Sequence, residues 1–412
     1  MPIFKEIPPT GGWKFCAKDL FSRQVASSLE EDFRNYFGVS DVYITYSGTA
    51  ALYLLFEALK KASPKKTVVI PSYVCPLVAL AAQKAGLRIK VCDINKDNFD
   101  FNYDSLRVLC SAETDILAVV AVHLGGIAVD IDRIKEITES RKIFIIEDCA
   151  HALGAKYKGK KCGTLGDFSF FSLCRGKGLT IYEGGVLLVN RKEYSTVVSD
   201  TIKAIVHRNF LSEIVKIAEL LGYWVFYRPQ LFWFVFKMPQ IFWHFKKNQA
   251  KAFGEEYDVN FDTHSVSAFR KLLGHKSFYR LEKEILEQRR KAEFYIKALS
   301  EIKGVIAMQE GAEGYSTYPF LTLLFDKAEK RDAVLKKIGN CGLGVSIVYL
   351  NAICDYSYLK EALGYEACNN ARDFSKRQLT LSTSVFLKDK DAEFIMQSLK
   401  ETLSHQANGR NG

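Results

Sequence analysis

None of the ten cysteines is spaced as a CxxC pair, so no metal- or dithiol-type pair is present. Several cysteines sit in apolar runs, and most are expected to be small buried hydrophobes in a reducing compartment. There is no zinc-finger or RNA-recognition signature, no expected metal site and no internal repeat. The start, Met1-Pro2-Ile3-Phe4-Lys5-Glu6, lacks the charged-then-apolar layout of a secretory signal, so the cytoplasm is the expected location. The formal net charge of +10 would suit nucleic acid, an anionic substrate or an anionic membrane surface. The basic residues are not gathered on one element, and nucleic acid is not expected as a partner.

What is present is ample material for a core. A chain of 412 residues, 48% hydrophobic and 25% charged, has room for two domains and is globular in composition. Strand-like runs alternate with helical stretches through the first two-fifths. Val42–Tyr46, Lys66–Ile70, Leu87–Cys92, Ile116–His123 and Ile143–Glu147 read as strands. Ala50–Lys61 reads as a helix, and about fifteen helical residues are expected after Pro71. This alternation predicts an α/β fold with a mostly parallel sheet, whose ligands gather at the carboxyl ends of the strands. Asp167–Ser172 and Gly185–Val189 read as two further short strands around a glycine-rich loop. A charged helix from Leu281 to near Ser300 leads into a smaller α/β part, with strands around Tyr318–Phe325 and Gly344–Tyr349 and a helix over Asp391–Leu403. The expected division is a large domain over 1–260 and a small one over 261–412. The polar tail after Ser404 is expected to fray.

Three places at strand ends carry chemistry. Asp148 closes the apolar run Ile143–Ile146 and faces the ligand crevice, although an acid there also suits an ordinary helix N-cap. Lys177 lies in Ser172-Leu173-Cys174-Arg175-Gly176-Lys177-Gly178. Its flanking glycines let backbone pass close to a bulky ligand, where most lysines are simply solvated. Ser47-Gly48-Thr49-Ala50 opens a helix after a strand, with free N–H groups and two hydroxyls for an anion, where a simple cap needs only one. A lysine amine, a strand-end carboxylate and a phosphate cradle are three of the four parts that hold pyridoxal phosphate. The fourth is a group covering the ring.

Four motifs in order, Tyr46-Ser47-Gly48-Thr49-Ala50-Ala51-Leu52, Ile146-Glu147-Asp148-Cys149-Ala150-His151-Ala152-Leu153-Gly154-Ala155, Gly163–Gly166 and Phe170-Phe171-Ser172 with Lys177, resemble the DegT/DnrJ/EryC1/StrS family. The resemblance runs from about Glu30 to Asn190. It resumes at Ser267–Leu299, where Leu286–Tyr295 looks like the family's interdomain helix, and continues to Ala371-Arg372 and Leu379-Thr380-Leu381. It implies a transferase of PLP fold type I, a large domain with a mostly parallel mixed sheet plus a smaller C-terminal α/β domain. Lys177 matches the Schiff-base lysine, Asp148 the carboxylate at the pyridine nitrogen, and His151 the slot that meets the cofactor's phenolic oxygen or ring. Ser47, Gly48, Thr49 and Ser172 match phosphate ligands, and Asn260 an asparagine supplied to the phosphate site by a partner subunit. Two departures stand out. Cys75 fills the ring-covering slot, where an aromatic is common and Tyr73 offers an alternative. Asp262 stands where an arginine is expected after Asn260.

A third departure is the stretch of about 201–253. Between Tyr223 and Phe245 it reads YWVFYRPQLFWFVFKMPQIFWHF, with Trp224, Trp233 and Trp243 among the protein's four tryptophans. In the family this stretch is typically a polar active-site and dimer loop. Arg228, Pro229, Lys237 and Pro239 break the apolar runs, so a spanning helix is not expected. Dimer packing, a membrane-surface anchor and the lining for an apolar substrate all fit this composition.

The expected activity is transfer of an amino group from an amino acid, glutamate by resemblance, to a keto-sugar, most readily a nucleotide-linked one in surface-polysaccharide or secondary-metabolite biosynthesis. The site would be shared across a homodimer. A membrane-borne or lipid-linked ketone is the alternative acceptor, with peripheral contact through Tyr223–Phe245. A cofactor-binding regulator is the non-enzyme alternative. Sugar dehydratases of the family carry histidine in place of the lysine, so Lys177 points to transamination.

Overall fold

The computed structural model describes residues 4–13, 16–20, 27–248, 251, 254–364 and 367–408. Nine strands belong to the first half of the chain: β1 (Asp41–Thr45), β2 (Thr67–Pro71), β3 (Arg88–Cys92), β4 (Ile116–Val122), β5 (Phe144–Asp148), β6 (Lys156–Tyr157), β7 (Lys160–Lys161), β8 (Phe168–Ser172) and β9 (Gly185–Val189). Four follow later: β10 (Val305–Ala307), β11 (Gly314–Tyr315), β12 (Phe320–Phe325) and β13 (Gln378–Ser382). A seven-stranded sheet runs in the order β1-β9-β8-β5-β4-β2-β3. The strands from β8 to β3 are parallel, and β9 runs against both β1 and β8. The sequence of β4, ILAVVAV, is buried at all seven positions, as expected of a strand covered on both faces.

This topology gathers the chemistry. Because β9 is antiparallel to both of its neighbours, the carboxyl ends of β1, β2, β5 and β8 share one edge of the sheet. Ser47 follows β1 and caps the helix Gly48–Ala62. The Ser72–Cys75 turn follows β2, Asp148 ends β5, and Ser172 ends β8. The helix after β2 is Pro76–Lys84, shorter than the fifteen residues expected. The intervening Ser72–Val74 turn is fully buried and spends its polar groups on loop contacts, with the Ser72 hydroxyl on Asp93 at 2.6 Å.

A second core surrounds the three-stranded sheet β10-β12-β13. The segment around Gly344–Tyr349 makes only an isolated bridge, Ser346 with Thr380, rather than the strand expected. Its amides go instead to side chains, Val348 N–H to Gln378 and Tyr349 N–H to Tyr73. The last helix is Asp389–Asn408, so the chain stays helical past Ser404; the tail from 409 lies outside the described residues. The helix Leu281–Leu299 places Leu281 and Ile285 in the core beside β8 and Ala292, Tyr295 and Leu299 in the second core. The small sheet β11-β6-β7 had no counterpart in the sequence reading.

Cys354 and Cys368 form a disulfide, which departs from the expectation of free thiols. Fourteen residues separate them in sequence, a spacing that identifies no pair in advance.

The aromatic stretch is helical: Phe210–Phe226, Pro229–Phe232, a π-helical turn Trp233–Lys237 and Met238–Phe245. Positions 249, 250, 252 and 253 of the expected insertion lie outside the described residues. Its first helix is fastened to the large sheet's side of the molecule by a buried ion pair. Arg270, with no exposed surface, places its guanidinium on Glu213, with Nε to Oε2 at 3.0 Å, and donates to the Glu183 carbonyl. Glu213 also accepts the Ser267 N–H at 2.7 Å. Most of the later helical surface faces outward with apolar side chains, Phe245 being 87% exposed. Among the described residues no helix is long and apolar enough to cross a membrane.

Candidate active site

Asp148 is 5% exposed at the end of β5, and its Oδ1 accepts the Ala150 N–H at 2.9 Å. Burial pushes its carboxyl up to about 6, against the pull of that N–H and of the Lys177 ammonium. Lys177 sits in the loop between β8 and β9. Burial holds its ammonium below the usual lysine range, with Cys75, Cys174 and Asp148 pulling the other way. Its Nζ makes no hydrogen bond or ion pair among the described residues. A desolvated, unpaired amine beside a carboxylate has an accessible neutral, nucleophilic form.

His151 lies one turn past Asp148. Its Nδ1 accepts the Gly125 N–H at 3.4 Å and its ring meets Phe320 edge-on at 5.2 Å. Burial and the nearby Lys177 charge hold it neutral, well below the usual histidine range. A small cleft joins Lys177, Ser172 and His151 to Trp13, Gln288 and Thr317. A larger cleft of about 1070 Å³, lined in part by Lys303, Asp326 and Arg377, includes none of these groups.

The anion cradle is built from close backbone approaches. Ser47 caps its helix through the Ala50 N–H at 3.0 Å. A Cβ on Gly48 would sit 3.4 Å from the Ser172 Cβ, and one on Gly185 would sit 2.3 Å from the Ser47 carbonyl. Only glycine at 185 lets β9 start this close to the helix N-terminus. Ser47, Gly48, Thr49 and Ser172 are thus brought together.

At the turn after β2, Cys75 is partly exposed and precedes Pro76. Burial pushes its thiol up to about 11, with Lys177, Asp148 and Glu255 the charges that act on it. Tyr73 is fully buried, with its hydroxyl donating to the Tyr349 carbonyl at 2.9 Å and its ring against Phe374 at 5.1 Å. Tyr73 is therefore committed to packing, and Cys75 is the side chain of that turn that faces Lys177. Asn260 is not brought to the cluster. It is exposed, and its backbone N–H closes a local turn on Asp258.

Two supports were missed in the sequence. Glu147, one residue before Asp148, points to the opposite face of the strand and accepts the N–H groups of Gly163, Leu165 and Gly166 at 2.6–2.8 Å. It also meets His123 Nε2 at 2.9 Å. Because the Val129 N–H donates to His123 Nδ1 at 3.2 Å, the imidazole proton lies on Nε2 and is given to Glu147. His123, Glu147 and Cys149 are close enough to hold an ion, but both imidazole nitrogens are already engaged. Period-two alternation along β5 is the signal that could have assigned Glu147 to the far face. The other support is Thr10–Trp13, which lies against the lysine loop: Thr10 donates to the Gly176 carbonyl at 2.5 Å, and a Cβ on Gly12 would strike Gly176 and Lys177 at 2.6 Å. Nothing in the sequence around Gly11-Gly12 signals this contact.

The Glu147 cluster sets a stability prediction. Glu147→Ala would leave four buried donors without an acceptor and should cost about 3–5 kcal/mol, read as a lowered urea midpoint of the full chain. An unchanged midpoint would show that the cluster does not hold the Gly163–Gly166 turn.

Residues 20–205 and 246–400 match the model of the DegT/DnrJ/EryC1/StrS aminotransferase family; 206–245, most of the aromatic stretch, are left out. The chain is 26% identical over 387 residues to a UDP-4-amino-4,6-dideoxy-N-acetyl-beta-L-altrosamine transaminase of Campylobacter jejuni, covering 92% of this chain and 90% of that one. It is 34% identical over 162 residues to a GDP-perosamine synthase of Caulobacter vibrioides, covering 39% of this chain and 43% of that one. Among solved structures it resembles PseC of Helicobacter pylori, an aminotransferase involved in the biosynthesis of pseudoaminic acid. The TM-score is 0.74 over 97% of this chain and 100% of that one, at 16% identity, a likeness of fold.

Proposed function

The chain belongs to the DegT/DnrJ/EryC1/StrS aminotransferase family, and from that premise we propose that it moves an amino group from glutamate to a nucleotide-linked keto-sugar, with pyridoxal 5′-phosphate as its cofactor. The observation that carries this reading is the unpaired amine of Lys177 beside the buried carboxylate of Asp148. The residues fit the cofactor in shape as well as charge, since Gly48 and Gly185 leave backbone N–H groups, Ser47 and Ser172 converging without a Cβ between them. When bound, pyridoxal phosphate supplies an aldehyde that captures amines and a protonated ring that takes up electrons.

Each residue then has a task. Ser47, Gly48, Thr49 and Ser172 hold the phosphate at the helix N-terminus. Asp148 keeps a proton on the ring nitrogen, and the Ala150 N–H keeps the carboxylate aimed. His151, neutral, presents a ring for the cofactor's face or phenolic oxygen without adding positive charge. Cys75 would offer a small polarisable atom to the cofactor ring. Lys177 would hold the cofactor through its amine and, once released, would serve as the base that removes the proton from the donor's α-carbon and as the acid that gives it back. Its lowered basicity leaves more of it neutral and ready for that transfer.

In this reading the enzyme is a cytoplasmic homodimer, and Asn260, exposed here, serves the partner's phosphate site. The chain divides near residue 260 into two domains bridged by the helix Leu281–Leu299. The altrosamine transaminase and the perosamine synthase support a sugar acceptor in polysaccharide biosynthesis. The outward-facing apolar helices of Tyr223–Phe245 favour a second reading, in which the molecule touches a membrane peripherally and aminates a lipid-linked ketone.

Purified protein given pyridoxal phosphate should acquire a visible absorption band. Excess glutamate should bleach it as pyridoxamine phosphate accumulates, measured by chromatography. Absence of a band after incubation would sink the assignment. A stable band with no turnover of any donor would point to a cofactor-binding regulator.

A further inference from the structure

We propose that the pocket beneath the helical insert binds the hydrocarbon chain of an anionic amphiphile, with Arg175 taking its phosphate head. The proposal goes beyond the amino-transfer reading and rests on it only for the link to the acceptor. The pocket has a volume of about 460 Å³, within the range of small-molecule sites. Its walls are largely aromatic, from Tyr223, Phe226, Tyr227, Phe232 and Phe236 of the insert and Tyr182 of the lysine loop. The insert's walls fall in 206–245, outside the residues matching the family model, so the match to the family does not account for this pocket. Its wall at Gly222 is open, since a Cβ there would meet nothing within 4 Å.

The charged side chains lining the pocket are Arg175 and Glu219. Glu219 is held by Lys216 at 2.9 Å, an ammonium it shares with Glu183 at 3.1 Å. The Arg175 guanidinium is exposed and lies over the Tyr182 ring at 5.6 Å; the Glu183 carboxylate acts on it at longer range, but among the described residues its side chain makes no salt bridge or hydrogen bond. A guanidinium with open donors beside an aromatic cavity complements a chain with a phosphate head. The surroundings favour delivery from an anionic surface. Phe226 and Val235 line the pocket yet are 41% and 50% exposed, and Phe234, Ile241 and Phe242 of the same helical segment are exposed as well. From Leu220 to Lys251 the chain carries Arg228, Lys237, Lys246, Lys247 and Lys251 and no acidic residue. Apolar and aromatic side chains mixed with basic ones suit the interface of an anionic bilayer. Arg175 and Gly176, which line the pocket, directly precede Lys177, so a head group held there lies against the catalytic loop.

The test is calorimetric titration of the full-length, cofactor-loaded protein with farnesyl phosphate, with farnesol and inorganic phosphate as separate titrants. Farnesyl phosphate should bind, and inorganic phosphate alone should not reproduce the signal. Gly222→Trp, which fills the cavity, should weaken binding at least ten-fold while the glutamate response of the absorption band is unchanged. Arg175→Glu should weaken farnesyl phosphate and leave farnesol unaffected. Competition by phosphatidylglycerol vesicles would identify a bilayer lipid as the source of the chain, and its absence a separate amphiphile such as a lipid-linked acceptor; either supports the pocket. Equal binding by Gly222→Trp overturns the proposal. So does light scattering that shows this variant monomeric where the parent is dimeric, which would make the cavity a subunit contact. Heat of binding is read without turnover, so failure of the amino-transfer reading would be seen separately.

Discussion

In Lys177→Ala, amino transfer should fall about 10,000-fold or more, because the substitution removes both the covalent anchor of the cofactor and the base that moves the proton. Borohydride reduction of the parent enzyme should fix the cofactor on the peptide containing Lys177, and the variant should carry no such adduct. The lost amine belongs to a cleft shared with His151 and Ser172, and Cys75, Cys174 and Asp148 act on it in the parent protein. An added small primary amine should therefore restore part of the proton transfer. A variant that still turned over within ten-fold of the parent, or an adduct on a different lysine, would move the chemistry away from this loop.

Asp148→Asn should show opposite effects on activity and stability. An amide accepts a hydrogen bond but cannot keep the ring nitrogen protonated, so turnover should drop about 100- to 1,000-fold. The folded protein without cofactor should nevertheless gain stability at neutral pH. The Asp148 carboxyl lies at about 6 when folded, against 3.8 ordinarily, because burial penalises its charge. The native state therefore keeps a proton that the unfolded chain has already released between those values. The group favours folding fully below about pH 3.8, and that contribution is lost as pH rises through 6, a difference of about 3 kcal/mol by the size of the shift. The amide has no such dependence. Thermal unfolding of the two apoproteins should match near pH 4 and diverge toward pH 8, with the variant higher. Identical pH profiles would show that Asp148 bears no burial penalty, and full activity would remove it from the ring nitrogen.

The strand ends were legible because they combine two independent patterns. Ile143–Ile146 and Ile116–Val122 are apolar runs of strand length, and each chemically distinctive residue follows directly on such a run. Parallel topology then brings Ser47, Cys75, Asp148 and Ser172 to one edge even though 125 residues separate the first from the last. What was not legible depends on distant contacts. The commitment of Tyr73 to Tyr349 and Phe374 joins segments nearly three hundred residues apart and leaves no local trace. Thr10–Trp13 reads as a glycine-rich start and gives no sign that it supports the lysine loop. The segment Gly344–Tyr349 has strand-like composition, but its amides are taken by Gln378 and Tyr73, and side-chain partners there replace a ladder. In the aromatic stretch the prolines obscured the helices. Pro229 opens the helical run, where proline is tolerated, and Pro239 directly follows the π-helical turn Trp233–Lys237 that interrupts the α-helical ladder.

The ion pair between Arg270 and Glu213 ties the aromatic helices to the rest of the chain. Arg270 stands among the residues that match the family model and Glu213 outside them, and the arginine has no exposed surface. Removing one member of a buried pair strands the other's charge, so a chain without these helices could not hold that guanidinium where it is. Close relatives lacking the extra helices should therefore carry an uncharged or re-partnered side chain at the equivalent site. Cutting the segment out of this protein should yield an unstable chain rather than a smaller enzyme.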